Sequence, residues 1–253
     1  MSFSGNTAET IHAASLAEEA GAPIVAVTAG GNLAELAGIW GAPVVPVDPS
    51  IPMPRVGLGA LAIPPLVVLE NMGLFPGASQ WVALAVEQLR RRRDELVGDT
   101  GPAAELARHL DRRVPIIYGG GGIGATASLR WKTQINENAK SPAFYGGVPE
   151  MCHNEIVGWG QHGDVTRQVF SMINVRHEGE HPVTMQAFDV LRDLLGEVVA
   201  DIHEIEAQGE GPVAQLLDLM YYGDFVSLYM ARQVGLDPGP VPVIDDLKAR
   251  LAI

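Results

Sequence analysis

The stretch APIVAVTAGGNLAELAGIWGAPVVPVDP, residues 22–49, indicates the fold class of this chain. It opens with a short apolar run, rich in β-branched residues, that ends in two glycines, which is typical of a buried parallel strand. NLAELAGIWGA then spaces its apolar side chains at helical intervals, and APVVPVDP repeats the apolar strand pattern. A strand, a helix and a second strand at this pitch predict a βαβ unit and therefore an α/β domain.

The sequence on both sides continues this alternation. Upstream, TAETIHAASLAEEAGA (7–22) predicts a helix that Thr7 caps and Gly21 ends. Downstream, VPIIYGGGGIG (114–124) restarts the pattern of a strand followed by a glycine loop, and VFSMINV (169–175) predicts a further strand. The chain is therefore predicted to hold two α/β units with the following bounds: residues 1–95, a linker over 96–112, and residues 113–253.

Helices are predicted for most of the remaining chain. Residues 78–97 and 128–140 have helical patterns, and residues 183–209 and 211–235 are predicted as two long amphipathic helices. Residues 143–159 are predicted as a loop with the start of a helix. A short helix is predicted to close the chain.

The composition limits the classes of partner. Apolar residues make up 47% and charged residues 19% of the chain, so a sizeable core is expected. A formal charge of −13 argues against a nucleic acid or an anionic membrane as a partner, and the basic run Arg90–Arg93 is predicted to be a solvated helix end. One cysteine, Cys152, favours a reducing compartment, and no apolar run is long enough to predict a membrane span. A cytoplasmic protein is predicted.

Two segments carry residues suited to chemistry. The hydroxyl-rich loop SFSGNTAET (2–10) leads into a helix, where free N–H groups and the helix dipole favour an anion, although an ordinary capped helix has the same pattern. In the second segment, residues 131–159, Asn136 and Asn138 are poor helix formers on either side of Glu137. Glu137 and His153 would suit proton abstraction beside a carbonyl; the alternative is a surface acid and a half-buried structural histidine.

Metal and dinucleotide sites are not predicted. In RHEGEHP (176–182), Gly179 and Pro182 prevent a helical face that would join His177 to His181, so loop histidines are favoured over zinc ligands. The glycine run GGGGIG (119–124) lacks the context of a dinucleotide fingerprint.

Together these segments resemble a known family. SFSGNTAET resembles the sugar-phosphate-binding signature of sugar isomerase (SIS) domains, Ser-x-Ser-Gly-x-Thr-x-Glu-Thr. Further along, TAGGNLAELA, PRVGLGAL, RWKTQINENAKSPAF, PEMCHNEIVGW, RHEGEHP and VIDDLKARL follow, in order, the pattern of bifunctional phosphoglucose/phosphomannose isomerases. The loop alone is shared with aminosugar isomerases and sugar-phosphate-sensing regulators, whereas NENAK followed by HNEIVGW is much more specific.

The resemblance implies a fold and a reaction. The fold would be two SIS-type, flavodoxin-like α/β/α units of three layers with parallel sheets. The reaction would interconvert fructose 6-phosphate with glucose 6-phosphate, mannose 6-phosphate or both through a cis-enediol, without a cofactor or metal, since it only moves a proton. The residues implied to hold the substrate phosphate are Ser2, Ser4, Gly5, Asn6 and Thr7.

The family's other roles fall on four residues. Arg55 would stabilise the negative charge of the enediolate, and Glu137 would carry the proton between C2 and C1. His153 and Lys248 would assist ring opening. In such enzymes the histidine comes from the partner subunit, so the resemblance implies a homodimer.

The sequence departs from the family pattern in two places. The family places a strand, a sugar-contacting loop, a helix and another strand before the SIS loop, so the first unit is expected to be incomplete at its amino terminus, with a native chain that starts earlier. Gly239 stands where many relatives have threonine, which leaves the glucose or mannose preference open. The alternative function is a catalytically weak SIS protein that binds sugar phosphates or a partner, and an aminosugar-phosphate isomerase ranks third.

Overall fold

The computed structural model describes residues 1–251 of the chain. These residues form two compact units. Unit 1 comprises Met1–Ser79 together with the residues from Val241 onward, and unit 2 comprises Gln80–Pro240. Each unit carries a sheet whose strands are all parallel, which confirms the predicted α/β class.

Unit 1 is built around a small parallel sheet. Its elements are α1 (Ala8–Glu19), β1 (Ala26–Thr28), α2 (Gly31–Ile39), β2 (Val44–Pro46), α3 (Leu58–Asn71) and α11 (Pro242–Leu251). β1 pairs with β2 on one side. On the other side, Ser2 and Phe3 run along β1: the Ser2 N–H donates to the Val27 carbonyl at 3.1 Å, and the Ala29 N–H donates to the Phe3 carbonyl at 3.0 Å. The start of the chain therefore lies where a further strand of this sheet would lie.

Unit 2 has a four-stranded sheet in the order β4-β3-β5-β6. Its elements are α4 (Ala78–Leu96, all but its first two residues), α5 (Pro102–Leu110), β3 (Val114–Gly120), α6 (Gly121–Asn138), β4 (Phe144–Val148), α7 (Glu155–Gly158), α8 (Gly163–Val169), β5 (Phe170–Arg176), α9 (Pro182–Leu195), β6 (Asp201–Glu206) and α10 (Gly211–Gln233). This order is that of the flavodoxin-like doubly wound fold, as the resemblance implies.

Helices cover both faces of the unit 2 sheet. On one face, Tyr118 of β3 packs in the same core cluster as Phe188 of α9. On the other face, α6 packs against α10: the Trp131 indole is fully buried and donates to the Leu219 carbonyl at 2.7 Å. Gly223 makes room for this indole, because a Cβ there would lie 2.6 Å from the ring. These contacts form the three layers of the predicted fold.

The predictions for residues 143–159 and 183–209 each missed a strand, although the predicted helix start (α7) and the first part of the predicted long helix (α9) are present. The first segment contains strand β4, and the second contains helix α9 followed by strand β6. In β4, Gly146 lacks the side-chain signal of a strand because it makes room for Tyr118: a Cβ on Gly146 would lie 2.7 Å from Cε1 of that ring. In β6, DIHEIE alternates apolar and polar residues, and Gly196 ends the helix before it.

The glycine run ends β3 and starts the helix that follows it. α6 begins at Gly121, earlier than the predicted helix over 128–140. Strand and helix approach closely here, because a Cβ on Gly119 would lie 2.2 Å from the Gly124 carbonyl oxygen. Two of the glycines thus serve the contact between a strand and its following helix.

The basic run Arg90–Arg93 is only partly a solvated helix end. Arg92 is 5% exposed, and its Nε lies 3.2 Å from the carboxylate of Asp218, which is fully buried on α10. Gln88 also donates to this carboxylate at 3.0 Å. The prediction was therefore wrong for Arg92, whose charge pairs α4 with α10.

The compact units and the predicted domain bounds divide the chain differently. The chain passes from one unit to the other at Ser79/Gln80 and at Pro240/Val241, whereas the predicted first domain runs to residue 95. The predicted linker, 96–112, holds α5, which buries its apolar face within unit 2. The bounds 1–95, 96–112 and 113–253 remain a prediction.

Candidate functional site

The amino-terminal loop, Ser2–Thr7, is closed by its own side chains. The Ser2 hydroxyl accepts from the Gly5 N–H at 3.1 Å and lies 2.8 Å from the Thr7 hydroxyl. The Ser4 hydroxyl accepts from the Asn6 N–H at 3.2 Å. The loop leads directly into α1, whose first N–H groups have no partner within the helix. The structure therefore brings all five predicted phosphate-binding residues together at a helix N-terminus.

This loop packs against the turn that follows β1. Gly5 has φ +69°, and a Cβ on it would lie 1.8 Å from the Gly30 carbonyl oxygen. The Gly5 carbonyl accepts from the Leu33 N–H at 2.9 Å, and the Asn6 side chain accepts from the Asn32 N–H at 3.0 Å. The two loops meet at the carboxyl end of β1, the side of a parallel sheet where ligands bind in open α/β folds.

Arg55 lies in unit 1 near the same loop. It occupies a short 3₁₀ turn, Pro54–Val56, and is half-buried. The turn ends at Gly57, where a Cβ would lie 3.3 Å from Cε2 of the Phe3 ring. The turn that carries Arg55 thus packs against the amino-terminal loop.

Glu137 lies in the last turn of α6, and the residues around it are held in place. The Asn136 side chain donates to the Ser141 carbonyl at 2.9 Å. The Asn138 side chain is buried and donates to the Ser227 hydroxyl of α10 at 2.9 Å. These bonds explain why two poor helix formers flank Glu137, which is itself half-buried.

His153 follows strand β4, whereas Glu137 precedes it. It is exposed in a 3₁₀ turn, Glu150–His153, directly after that strand. Glu137 ends α6, which leads into the start of β4. The five residues of β4 span about 17 Å at 3.3–3.4 Å per residue. Glu137 therefore lies before the amino-terminal end of β4 and His153 beyond its carboxyl-terminal end.

The segment that carries His153 is anchored by its neighbours. Glu155 accepts a hydrogen bond from the buried Tyr118 hydroxyl of β3. Burial raises the pKa of Tyr118, so the hydroxyl stays protonated and keeps donating. Burial also raises the pKa of Cys152, whose thiol is therefore a poor nucleophile. The sequence alone does not pair Glu155 with Tyr118, because Tyr118 lies in an ordinary apolar strand.

Lys248 lies on α11, in unit 1, and is exposed. It follows the helix-starting proline by nearly two turns, so its side chain projects from the second half of a ten-residue helix.

The RHEGEHP segment is held together at the end of β5. Arg176 is bidentate to the buried carboxylate of Glu180, with distances of 2.8 to 3.0 Å. His177 Nε2 lies 3.0 Å from the Gly120 carbonyl oxygen, and His181 Nδ1 accepts from the Val183 N–H at the start of α9. Both histidines lie in the loop between β5 and α9, as predicted.

Two features of residues 1–251 bear on the class of site. Among these residues, no three His, Cys, Asp or Glu side chains lie where they could hold a metal ion. None of the helices within this range has the length and apolar character needed to cross a membrane.

Comparisons with known proteins match the chain to one family. The family described as bacterial phospho-glucose isomerase C-terminal SIS domain matches residues 99–251. A bifunctional phosphoglucose/phosphomannose isomerase of Caldicellulosiruptor bescii is 36% identical over 255 residues, which cover 99% of this chain and 75% of the relative. One of the same name from Aquifex aeolicus is 30% identical over 251 residues, covering 99% of this chain and 74% of the relative.

A solved structure supports the fold. The chain is similar to a glucose-6-phosphate isomerase like protein from Thermus thermophilus, with a TM-score of 0.60 and 22% identity over 89% of this chain and 77% of that one. The sequence relatives identify the family, whereas the solved structure supports only the fold. Their alignments cover 99% of this chain and therefore both units. The chain belongs to the bifunctional phosphoglucose/phosphomannose isomerase family.

Proposed function

We propose that this protein is an aldose–ketose isomerase that interconverts fructose 6-phosphate with glucose 6-phosphate, mannose 6-phosphate or both through a cis-enediol. The observation that carries the proposal is the carboxylate of Glu137 at the end of α6, between two asparagines whose side chains are hydrogen-bonded. The names of the relatives agree with this, since they are bifunctional phosphoglucose/phosphomannose isomerases. A carboxylate suits the reaction because it can take a proton from C2 and return it to C1.

The remaining roles follow from the chemistry of each side chain. The amino-terminal loop holds the 6-phosphate through hydroxyls and the N–H groups at the start of α1. The guanidinium of Arg55 stabilises the enediolate as its charge develops. His153 and Lys248 move the proton between the ring oxygen and the C1 hydroxyl during ring opening.

We also propose a homodimer in which each active site takes Glu137 from one subunit and His153 from the other. The support is the order of the elements: Glu137 is in the helix that precedes β4 and His153 is in the turn that follows it, so the length of this strand lies between them within a chain. A cytoplasmic setting is part of the proposal and agrees with a single cysteine.

The test is an isomerase assay with fructose 6-phosphate, following glucose 6-phosphate and mannose 6-phosphate separately. Formation of either aldose phosphate with saturation kinetics supports the proposal. Tight binding of fructose 6-phosphate without turnover, in a folded protein, would contradict it and favour a sugar-phosphate-binding protein. The ratio of the two products measures the preference that the sequence leaves open.

Gly5→Ala is expected to weaken substrate binding. The new methyl group would lie 1.8 Å from the Gly30 carbonyl oxygen, so the amino-terminal loop must shift. We expect KM for fructose 6-phosphate to rise at least tenfold, equivalent to about 1.4 kcal/mol of binding free energy.

Gly21→Ala is the matched control for this loop. Gly21 has φ +70°, almost the same as Gly5, but a Cβ there meets nothing within 4 Å. Both variants therefore place an alanine in a left-handed conformation, but only Gly5→Ala brings the new methyl group against the Gly30 carbonyl oxygen. Equal KM values for them would show that the close approach of the two loops is unrelated to substrate binding.

A further inference from the structure

Lys140 has a backbone conformation that lysine rarely adopts. Its φ is +54°, in the left-handed region, at the position after Ala139, which is the C-cap of α6. This region brings a Cβ too close to the following carbonyl oxygen, and glycine is the usual residue at this position of a helix end. A lysine that remains here needs a compensating interaction.

The side chain of Lys140 supplies that interaction. Its ammonium donates to the carbonyl oxygen of Glu137 at 2.6 Å and to the carbonyl oxygen of Pro238 at 3.1 Å. The Glu137 carbonyl is one of the last four of the helix, which have no partner within it. A cation at this end also complements the negative pole of the helix dipole. The ammonium thus joins the last turn of α6 to the segment that follows α10.

We propose that Lys140 is a positioning residue for the base Glu137. By holding the main-chain oxygen of Glu137 itself, Lys140 fixes the backbone from which the carboxylate projects, while Asn136 and Asn138 hold its two neighbours. The inference rests on the proposed function, since it gives Lys140 its task through the role of Glu137. Non-glycine residues in left-handed conformations cluster at functional sites, where the strain is tolerated for such a purpose.

The decisive variant is Lys140→Gly. Glycine relieves the strain of the left-handed backbone and also removes the ammonium. Stability is therefore expected to be kept or to increase, while activity is expected to decrease. We expect Tm to stay the same or rise, while kcat falls by about 10- to 100-fold with KM within twofold, because a small displacement of a reacting group has an effect of this order. A lysine that only stabilised the helix end would give an unchanged kcat.

Two other substitutions at this position separate the contributions. Lys140→Met keeps the strained backbone and removes the donor, so both Tm and kcat should fall. Lys140→Arg keeps a cationic donor and should recover most of kcat. Lys132→Met, on α6, is the control for loss of another lysine from this part of the chain, and its kcat should match that of the unaltered protein.

The outcomes distinguish this inference from the proposed function. If Lys140→Gly keeps the full kcat while Glu137→Gln is inactive, the positioning role is wrong and the base assignment stands. If Glu137→Gln keeps its activity, the base assignment is wrong and the positioning role falls with it. A low kcat in Lys140→Gly at unchanged Tm, with recovery in Lys140→Arg, supports both.

Discussion

Replacing Glu137 with Gln is expected to lower kcat for fructose 6-phosphate isomerisation by a factor on the order of 10²–10⁴, the range that a general base supplies. The amide has nearly the same size as the carboxylate but cannot take the C2 proton. The side chain is half-buried and the neighbouring Asn136 and Asn138 keep their own hydrogen bonds, so the fold and substrate binding should be retained. KM should therefore change little.

A label on the transferred hydrogen makes this test specific for proton transfer. With deuterium at C2 of glucose 6-phosphate, the unaltered protein should move the label to C1 and lose part of it to water. Glu137→Gln should do neither, although it still binds the sugar phosphate. Glu105→Gln, at an exposed position on α5, is the matched control and should keep full activity. Label transfer by Glu137→Gln at the normal rate would show that another group is the base.

The sequence predicted the central strands of the fold but not its edges. β3 and β5 lie in the middle of the unit 2 sheet, are buried along almost their whole length and carry no charged residue before Arg176 at the end of β5. The two strands that the predictions missed, β4 and β6, are the two edges of that sheet. FYGGV lacks the strand signal because two of its five residues are glycine, and DIHEIE lacks a continuous apolar run because an edge strand carries charged residues on its solvent side.

The residues of the candidate site could be predicted from the sequence, but their conformation and placement could not. The resemblance identified Glu137 and its two asparagines, and the structure explains the asparagines through their hydrogen bonds to Ser141 and Ser227. The sequence could not reveal the conformation of Lys140, because glycine or asparagine is what usually marks a left-handed helix end. Nor could it reveal that β4 separates Glu137 from the turn before Glu155, since that needs the strand itself.

Mixing Glu137→Gln chains with His153→Ala chains is expected to restore activity that neither variant has alone. If each site combines Glu137 of one subunit with His153 of the other, a mixed dimer has one site with both substitutions and one site with neither. Random association makes half of the dimers mixed, so about a quarter of the sites should be intact in a twofold-symmetric pair. Coexpression with two affinity tags would isolate the mixed dimer, which should reach about half of normal kcat per dimer.

The result depends on which chain supplies each residue of a site, not on how much either residue contributes to catalysis. If both residues served the site of their own chain, every site of the mixed dimer would contain one substitution, and activity would stay at the level of the single variants. That outcome, in a dimer verified by both tags, would contradict the shared site, as would a fully active monomer in sedimentation. Recovery is expected because β4 lies between Glu137 and His153 of one chain, whereas in the proposed twofold pair a second chain would bring its own His153 to the end of the strand where Glu137 lies.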